Sequence, residues 1–300
     1  MRNNPVYRRE MTVRARSHRI PVILMLFNGL LAAVALLNMY SAVAQVKISA
    51  SIRYESFLQL YSFVAALEFL LLMFIMPALT SGSISGERER HTLELMFTTK
   101  IRVSDIVTGK LWSAFSQLLL LVVSSFPVLM LTLVYGSVGF ADLTLLVLCY
   151  VDVALFTGAM GIFFSALMRR STFSNVLTYG VLLAVVAGTY LLNLFLLQVS
   201  QMEVNALVLK AGEVRPAATS GWCVYLLLLN PVTTFAEILE GQIAGGGGQF
   251  AVGYFLGAQG GSLVTDHWIV ISMALQTAFS AFFVWGAVRL LNPMRKMKRE

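Results

Sequence analysis

The sequence predicts an all-α polytopic membrane protein with six transmembrane helices. Three observations carry that prediction. Hydrophobic residues make up 58% of the 300 and charged residues only 12%, about half the charged share of a soluble domain. The apolar residues gather into runs long enough for a helix to cross about 30 Å of hydrocarbon. Lysines and arginines collect at alternate ends of those runs, as positive-inside topology requires. Barrel strands are not supported, because no series of ~10-residue alternating segments occurs.

The runs are Ile20–Val46, Phe57–Leu79, Ile106–Tyr135, Leu143–Met168, Phe173–Val199 and His267–Leu291. Placing the N-terminus in the cytoplasm puts there the basic residues from Arg2 to Arg19, from Arg88 to Lys110, Arg169 with Arg170, and those from Arg289 to Arg299. Only Lys47, Arg53, Lys210 and Arg215 then lie outside. Both termini are therefore expected in the cytoplasm. The first run is too long for the apolar region of a signal peptide and is expected to stay in the protein. The net charge of +7 sits at span ends, so topology accounts for it without nucleic acid.

In chain order, residues 1–19 form a basic, amphipathic cytoplasmic segment, residues 20–292 the transmembrane region, and residues 293–300 a basic cytoplasmic tail. Within the membrane region the third and fourth spans are joined by a tight outer turn, Gly136–Asp142. The loop 81–105 joins the second and third spans, and it opens the densely charged stretch Ser81–Lys110 between two apolar runs. There Glu87, Arg88, Glu89 and Arg90 follow a Ser/Gly-rich break, and Thr92, Leu93, Leu95, Met96 and Phe97 supply an apolar face. Ser104-Asp105 reads as the N-terminal cap of the next helix. The stretch is expected to form one short amphipathic helix along the cytoplasmic surface. A lipid-binding helix would be rich in Lys and Arg, whereas here Glu87, Glu89 and Glu94 balance Arg88 and Arg90, which suits a protein partner better.

The outer segment, residues 200–266, contains Gly221–Gln242, apolar but broken at Asn230-Pro231. Proline removes a backbone donor and disfavours helix at the residue before it. The expectation is a short segment, a turn and an amphipathic helix with Phe235, Ile238 and Leu239 on one face, re-entrant or interfacial. A seventh span would place Arg295–Arg299 outside, against the charge bias. Gly245–Gly248 lacks the Lys-Ser or Lys-Thr of a phosphate-binding loop and reads as a flexible loop tip.

His18, His91 and His267 are scattered, with no spacing that gathers a metal, so neither a metal site nor a catalytic residue is expected. Glu68 and Asp152 stand out because each lies within an expected span, where an ionised carboxylate is costly. They are candidates for a substrate or ion pathway, or for hydrogen bonds to Ser, Thr or Tyr of a neighbouring helix. Gly158, Gly161 and Ser165 suit close helix packing. Cys149 and Cys223 are expected as free thiols rather than a disulfide.

Ser85-Gly86-Glu87-Arg88-Glu89, then His91-Thr92-Leu93-Glu94-Leu95, Thr98-Thr99 and Gly109-Lys110-Leu111 together resemble the ABC-2 type permease pattern. Asn4-Pro5-Val6 with Arg8-Arg9-Glu10, the six-span layout and Asn230-Pro231 extend the resemblance over the whole chain. Two positions depart from it. His91 stands where glycine is common, and Lys100 follows Thr99 where proline is common. The resemblance implies the permease subunit of a bacterial ATP-binding cassette exporter in the cytoplasmic membrane, paired with a second permease copy or a relative and with two ATPase subunits that bind ATP and Mg. It also implies that loop 81–105 carries a coupling helix, with Glu87, Arg88, Glu89, Thr92, Leu93 and Glu94 at or near the ATPase contact, and that the chain holds no cofactor of its own. The apolar second and fifth spans favour a hydrophobic or amphipathic cargo. The alternatives are a gradient-driven transporter using Glu68 and Asp152, and a membrane anchor for other proteins.

Overall fold

The computed structural model describes residues 4–15, 19–49, 54–98, 101–134, 139–207, 216–243, 252–257 and 263–292. The glycine run Gly245–Gly248, most of the turn after the third expected span, Lys210, Arg215 and the basic tail 293–300 lie outside the described residues. All regular structure among the described residues is helical, and six helices are long and apolar enough to cross a membrane. The chain divides into two compact units, residues 1–179 with 279–300, and residues 180–278.

The first unit opens with α1 (Pro5–Ala15), followed by the long helices α2 (Arg19–Ser49) and α3 (Tyr54–Thr80). Two short helices, α4 (Ser85–Glu89) and α5 (Thr92–Phe97), precede α6 (Val103–Val134) and α7 (Phe140–Leu167). α6 takes Ser104 and Asp105 into its first turn instead of being capped by them, because its helical hydrogen bonding starts one residue earlier at Val103. α3 lies at the centre, against α7, α6 and α2, while α1 runs along α6. Its core is a continuous apolar fill that includes Leu31, Tyr61, Leu72, Met76, Ile106, Leu118, Tyr150 and Phe156, all buried.

Glycine sets how closely α7 approaches α3. A Cβ on Gly158 would overlap Met76, and one on Gly161 would overlap Thr80 Oγ1 and lie 3.2 Å from the Ser81 backbone nitrogen. Without a hydrophobic driving force between helices inside lipid, such small-residue contacts supply van der Waals packing that larger residues would prevent. The C-terminal half of the final helix, α13 (Trp268–Leu291), packs on the same α7, with Phe283 5.4 Å from Phe163, ring to ring.

The second unit begins at Gly180, within α8 (Ser171–Leu183), which passes through a π-helical turn, Ala184–Gly188, into α9 (Thr189–Ala206). A 3₁₀ segment, Gly221–Leu229, then meets α10 (Pro231–Ile243) at a bend of 93°. The break falls at Asn230, ahead of the proline. Asn230 organises the corner. Its Oδ1 accepts from the Val232 backbone N–H at 3.0 Å, and its Nδ2 donates to Val186 O at 2.9 Å and Thr189 Oγ1 at 3.0 Å. The wide π-turn leaves carbonyls without their usual helical partners, and Asn230 satisfies one of them. Phe235 and Ile238 of α10 are buried and Leu239 is half-buried. The short helices α11 (Gly253–Leu256) and α12 (Leu263–Asp266) precede α13, and Leu197, Val224, Leu227, Phe255 and Trp268 form the unit's apolar core.

Candidate functional site

Charge is scarce in this chain, so where it is spent matters. The densest cluster lies between α3 and α6, and the expected single helix there is two. α4 and α5 are separated by His91, whose φ of 56° and ψ of 16° place it in the left-handed region. The departure from one continuous helix has a backbone cause, since a residue in that conformation ends the α-helical ladder. Glycine adopts it freely and His tolerates it better than most residues. His91→Gly should therefore stabilise the fold by up to about 1 kcal/mol, and His91→Val should destabilise it by at least that much. Thermal unfolding of the purified variants reads the sign.

Each of three consecutive charged residues on α4 reaches a different helix. Glu87 Oε1 lies 2.8 Å from Lys110 Nζ on α6, and the same Nζ lies 3.3 Å from Glu10 Oε1 on α1. Lys110 is 4% exposed, with the two carboxylates only about a quarter exposed. Arg88 donates to Met168 O at 2.8 Å and Ala166 O at 3.1 Å, at the C-terminal end of α7. Glu89 accepts from the Ser171 backbone N–H at 2.9 Å and from Ser171 Oγ at 2.8 Å, at the start of α8. A cation thus sits at the negative end of one helix dipole and an anion at the positive end of the next. The bonds from Ser171, helped by the nearby Arg170 and Arg90, hold the Glu89 carboxyl below its usual range. Burial, with Arg169 nearby, lowers the pKa of the Arg88 guanidinium.

Further contacts pin α4 and α1. The Ser165 hydroxyl of α7 accepts from the backbone N–H groups of Ile84 and Ser85 at 2.9 and 3.0 Å, serving orphan donors at the start of α4. Thr92 Oγ1 donates to Glu87 O at 3.1 Å, closing the turn around His91. Asn4 caps α1 through its Oδ1 and donates from Nδ2 to Asp105 O at 2.8 Å. A Cβ on Gly109 would stand 3.0 Å from Asn4 Oδ1 and 3.1 Å from Val6 Cβ, so glycine there lets the cap of α1 rest on α6. The Gly109-Lys110 pair has a physical reading: the first gives α1 room and the second binds it to α4.

The expected contact residues divide by direction. Glu87, Arg88 and Leu93 are turned into the protein, with Leu93 buried; Glu89 is exposed but tied to Ser171; Thr92 and Glu94 are exposed. Leu95 beside them is 67% exposed, a large apolar side chain on a mixed-charge surface. Sequence reasoning missed Glu10, Lys110, Ser165 and Ser171 as members of the site. In the sequence Lys110 reads as a topology signal and as part of the Gly109-Lys110-Leu111 pattern, and its spacing from Glu87 along the chain gives no hint of contact.

Glu68 and Asp152 lie elsewhere in the first unit and are both buried. Ser125 Oγ on α6 meets the Glu68 carboxyl on α3, and the Tyr150 hydroxyl donates to Ala65 O at 2.9 Å one turn away. These polar groups bond helix to helix within the α3, α6 and α7 contact. Cys149 and Cys223 are free thiols.

A comparison with curated proteins finds no match. The family described as ABC-2 family transporter protein matches residues 15–289, a stretch that takes in the first five long apolar helices, all but the last two residues of the sixth, and the α4–α5 segment. With that match over nearly the whole length and an all-helical, six-span fold, the chain belongs to the ABC-2 family of transporter proteins and is the membrane permease component of an ABC transporter.

Proposed function

We propose that the chain is the permease subunit of an ATP-binding cassette exporter of the bacterial cytoplasmic membrane, driven by separate ATPase subunits. The ATP and Mg are bound by those partners, this chain hydrolyses nothing itself, and it pairs with a second copy or a related permease. The α4–α5 end faces the cytoplasm, as do both termini; the clustering of Arg88, Arg90, Arg102, Arg169 and Arg170 supports that orientation.

The observation that carries the reading is the fan of three charges on α4, each anchored to a different helix. A segment that must pass movement from a soluble motor into a membrane bundle has to be gripped on its inner side and readable on its outer side. Glu87 and Arg88 do the gripping, and Leu93 seats α5 as a buried apolar anchor. Thr92, Glu94 and the neighbouring Leu95 offer the ATPase its contact, with Glu89 at the edge. Coupling then requires that the ATPase interact differently with this surface in its two states, because a partner with equal affinity for both shifts nothing.

Affinity purification of the tagged chain from its native membrane tests this. A stoichiometric P-loop ATPase should co-purify, and Leu95→Asp should lower its yield at least several-fold while leaving the permease folded, since Leu95 makes little contact of its own. Glu87→Ala with Glu89→Ala should reduce stimulated ATP hydrolysis. A chain that purifies without any ATPase would overturn the proposal. For Glu68 and Asp152 we propose a structural role, supported for Glu68 by the Ser125 contact; transport abolished by Glu68→Gln with normal assembly would instead favour the gradient-driven alternative.

A further inference from the structure

A cavity of about 660 Å³ lies between α1 and α6, a volume within the range of small-molecule sites. On α6 its lining includes Asp105, Thr108, Trp112, Phe115, Ser116 and Leu119, whose spacing places them along one face of the helix. That face is graded. Its N-terminal end carries Asp105 and Thr108, and the part further along carries Trp112, Phe115 and Leu119, over about 21 Å of helix axis. Because α6 is apolar enough to cross a membrane from Val103 onward, the polar end lies toward water and the aromatic end toward hydrocarbon. Trp112 and Phe115 meet edge-on there at 5.2 Å.

α1 forms the opposite wall and is fastened at two levels. Asn4 Nδ2 donates to Asp105 O at 2.8 Å at the polar end, and the Tyr7 and Ser116 hydroxyls meet at 3.0 Å deeper in. Two exposed arginines stand one helical turn from this rim, Arg102 three residues before Asp105 and Arg8 four residues after Asn4. Together they outweigh the Asp105 carboxylate, so the mouth is net positive. A wholly polar guest would match the mouth alone, and a wholly apolar one the depth alone. A phospholipid presents the same order of surfaces as the cavity: a phosphate that guanidinium groups bind in fork geometry, then ester oxygens, then acyl carbons. We propose that the cavity between α1 and α6 holds one phospholipid of the adjoining leaflet. Its phosphate meets Arg8 and Arg102, and the first part of one acyl chain lies against Trp112, Phe115 and Leu119, with the remainder in the bilayer. The lipid then helps to set the position of α1, whose Glu10 shares Lys110 with α4. The proposal holds whether or not an ATPase partner drives the protein.

The test uses the full chain, purified in a neutral maltoside detergent, with calorimetric titration as the readout and three probes. They are dioctanoyl-phosphatidylglycerol, dioctanoylglycerol, which has the same chains without the phosphate, and inorganic phosphate. Saturable binding of the first is expected, about tenfold tighter than of either other probe, the scale of one charge-assisted contact. Thr108→Trp, which fills the polar half of the cavity, should remove it. Arg8→Ala with Arg102→Ala, at exposed side chains, should weaken it about tenfold at an unchanged unfolding temperature, which keeps the test decisive if the tryptophan variant folds poorly. Equal affinity for the phospholipid and the diacylglycerol, inorganic phosphate binding as tightly as the phospholipid, or wild-type affinity in the arginine variant would each overturn the proposal.

Discussion

Lys110→Met should release α4 and α1 together. The ammonium is nearly fully buried and stands between two carboxylates on different helices, so its loss removes the cation that Glu87 and Glu10 share. Removing one partner of a fully buried ion pair costs several kcal/mol. Here both carboxylates reach water in part, which screens the residual repulsion, and the expected loss is about 1–3 kcal/mol. Thermal unfolding in detergent should show it. The charge explanation is separated from lost packing by a second substitution. Lys110→Met combined with Glu87→Gln should recover part of the loss, because the stranded carboxylate is gone, and the deficit should therefore be non-additive. Additive costs in that cycle would mean that Lys110 matters only for its volume. The functional readout is distinct from stability: with α4 no longer tied to α6 and α1, an ATPase that still docks should lose its stimulation by the permease. Normal stimulation in a folded Lys110→Met chain would remove the ion cluster from the transmission path.

How much of this was legible in sequence follows from the range of the interactions concerned. Spanning helices are read from composition over about 20 residues, because transfer into hydrocarbon depends on the segment alone. That is why the six runs and the break at Asn230-Pro231 could be read directly. The division of the charged loop at His91 depends on one backbone dihedral, and only the family pattern, with glycine common there, hinted at it. The direction in which each charge points depends on contacts between Glu87 and Lys110, Arg88 and the end of α7, and Glu89 and Ser171. Those pairs are far apart in sequence and obey no short-range spacing rule. Counting acids and bases suggested a surface for a protein partner; it could not tell that Glu87 and Arg88 are spent inside.

Gly161→Val is the second substitution with a large expected effect, and it bears on how the α4 segment is held at its root. Gly161 sits where α7 crosses the last turn of α3, and a Cβ there would overlap Thr80 Oγ1 and press on the Ser81 backbone. Overpacking of a tight contact costs about 1–3 kcal/mol, at the upper end when backbone must move. Val adds two methyl groups beyond that first carbon, so separation of the helices is the only relief. Gly161→Ala should cost less, and Thr80→Ala should partly rescue it by removing the first overlapping atom; the Ser81 nitrogen remains, so rescue stays incomplete. This makes the pair a sterically defined double-mutant cycle with an expected favourable coupling. The consequence reaches beyond stability. Thr80 and Ser81 lead straight into α4, whose first N–H groups are held by Ser165 one turn further along α7. Moving α7 off α3 withdraws that hydroxyl, so Gly161→Val should reduce permease-stimulated ATP hydrolysis even at temperatures where the variant remains folded. Stimulation that survives unchanged in a folded Gly161→Val chain would show that α4 is positioned by its three charges alone, without the α3–α7 contact beneath it.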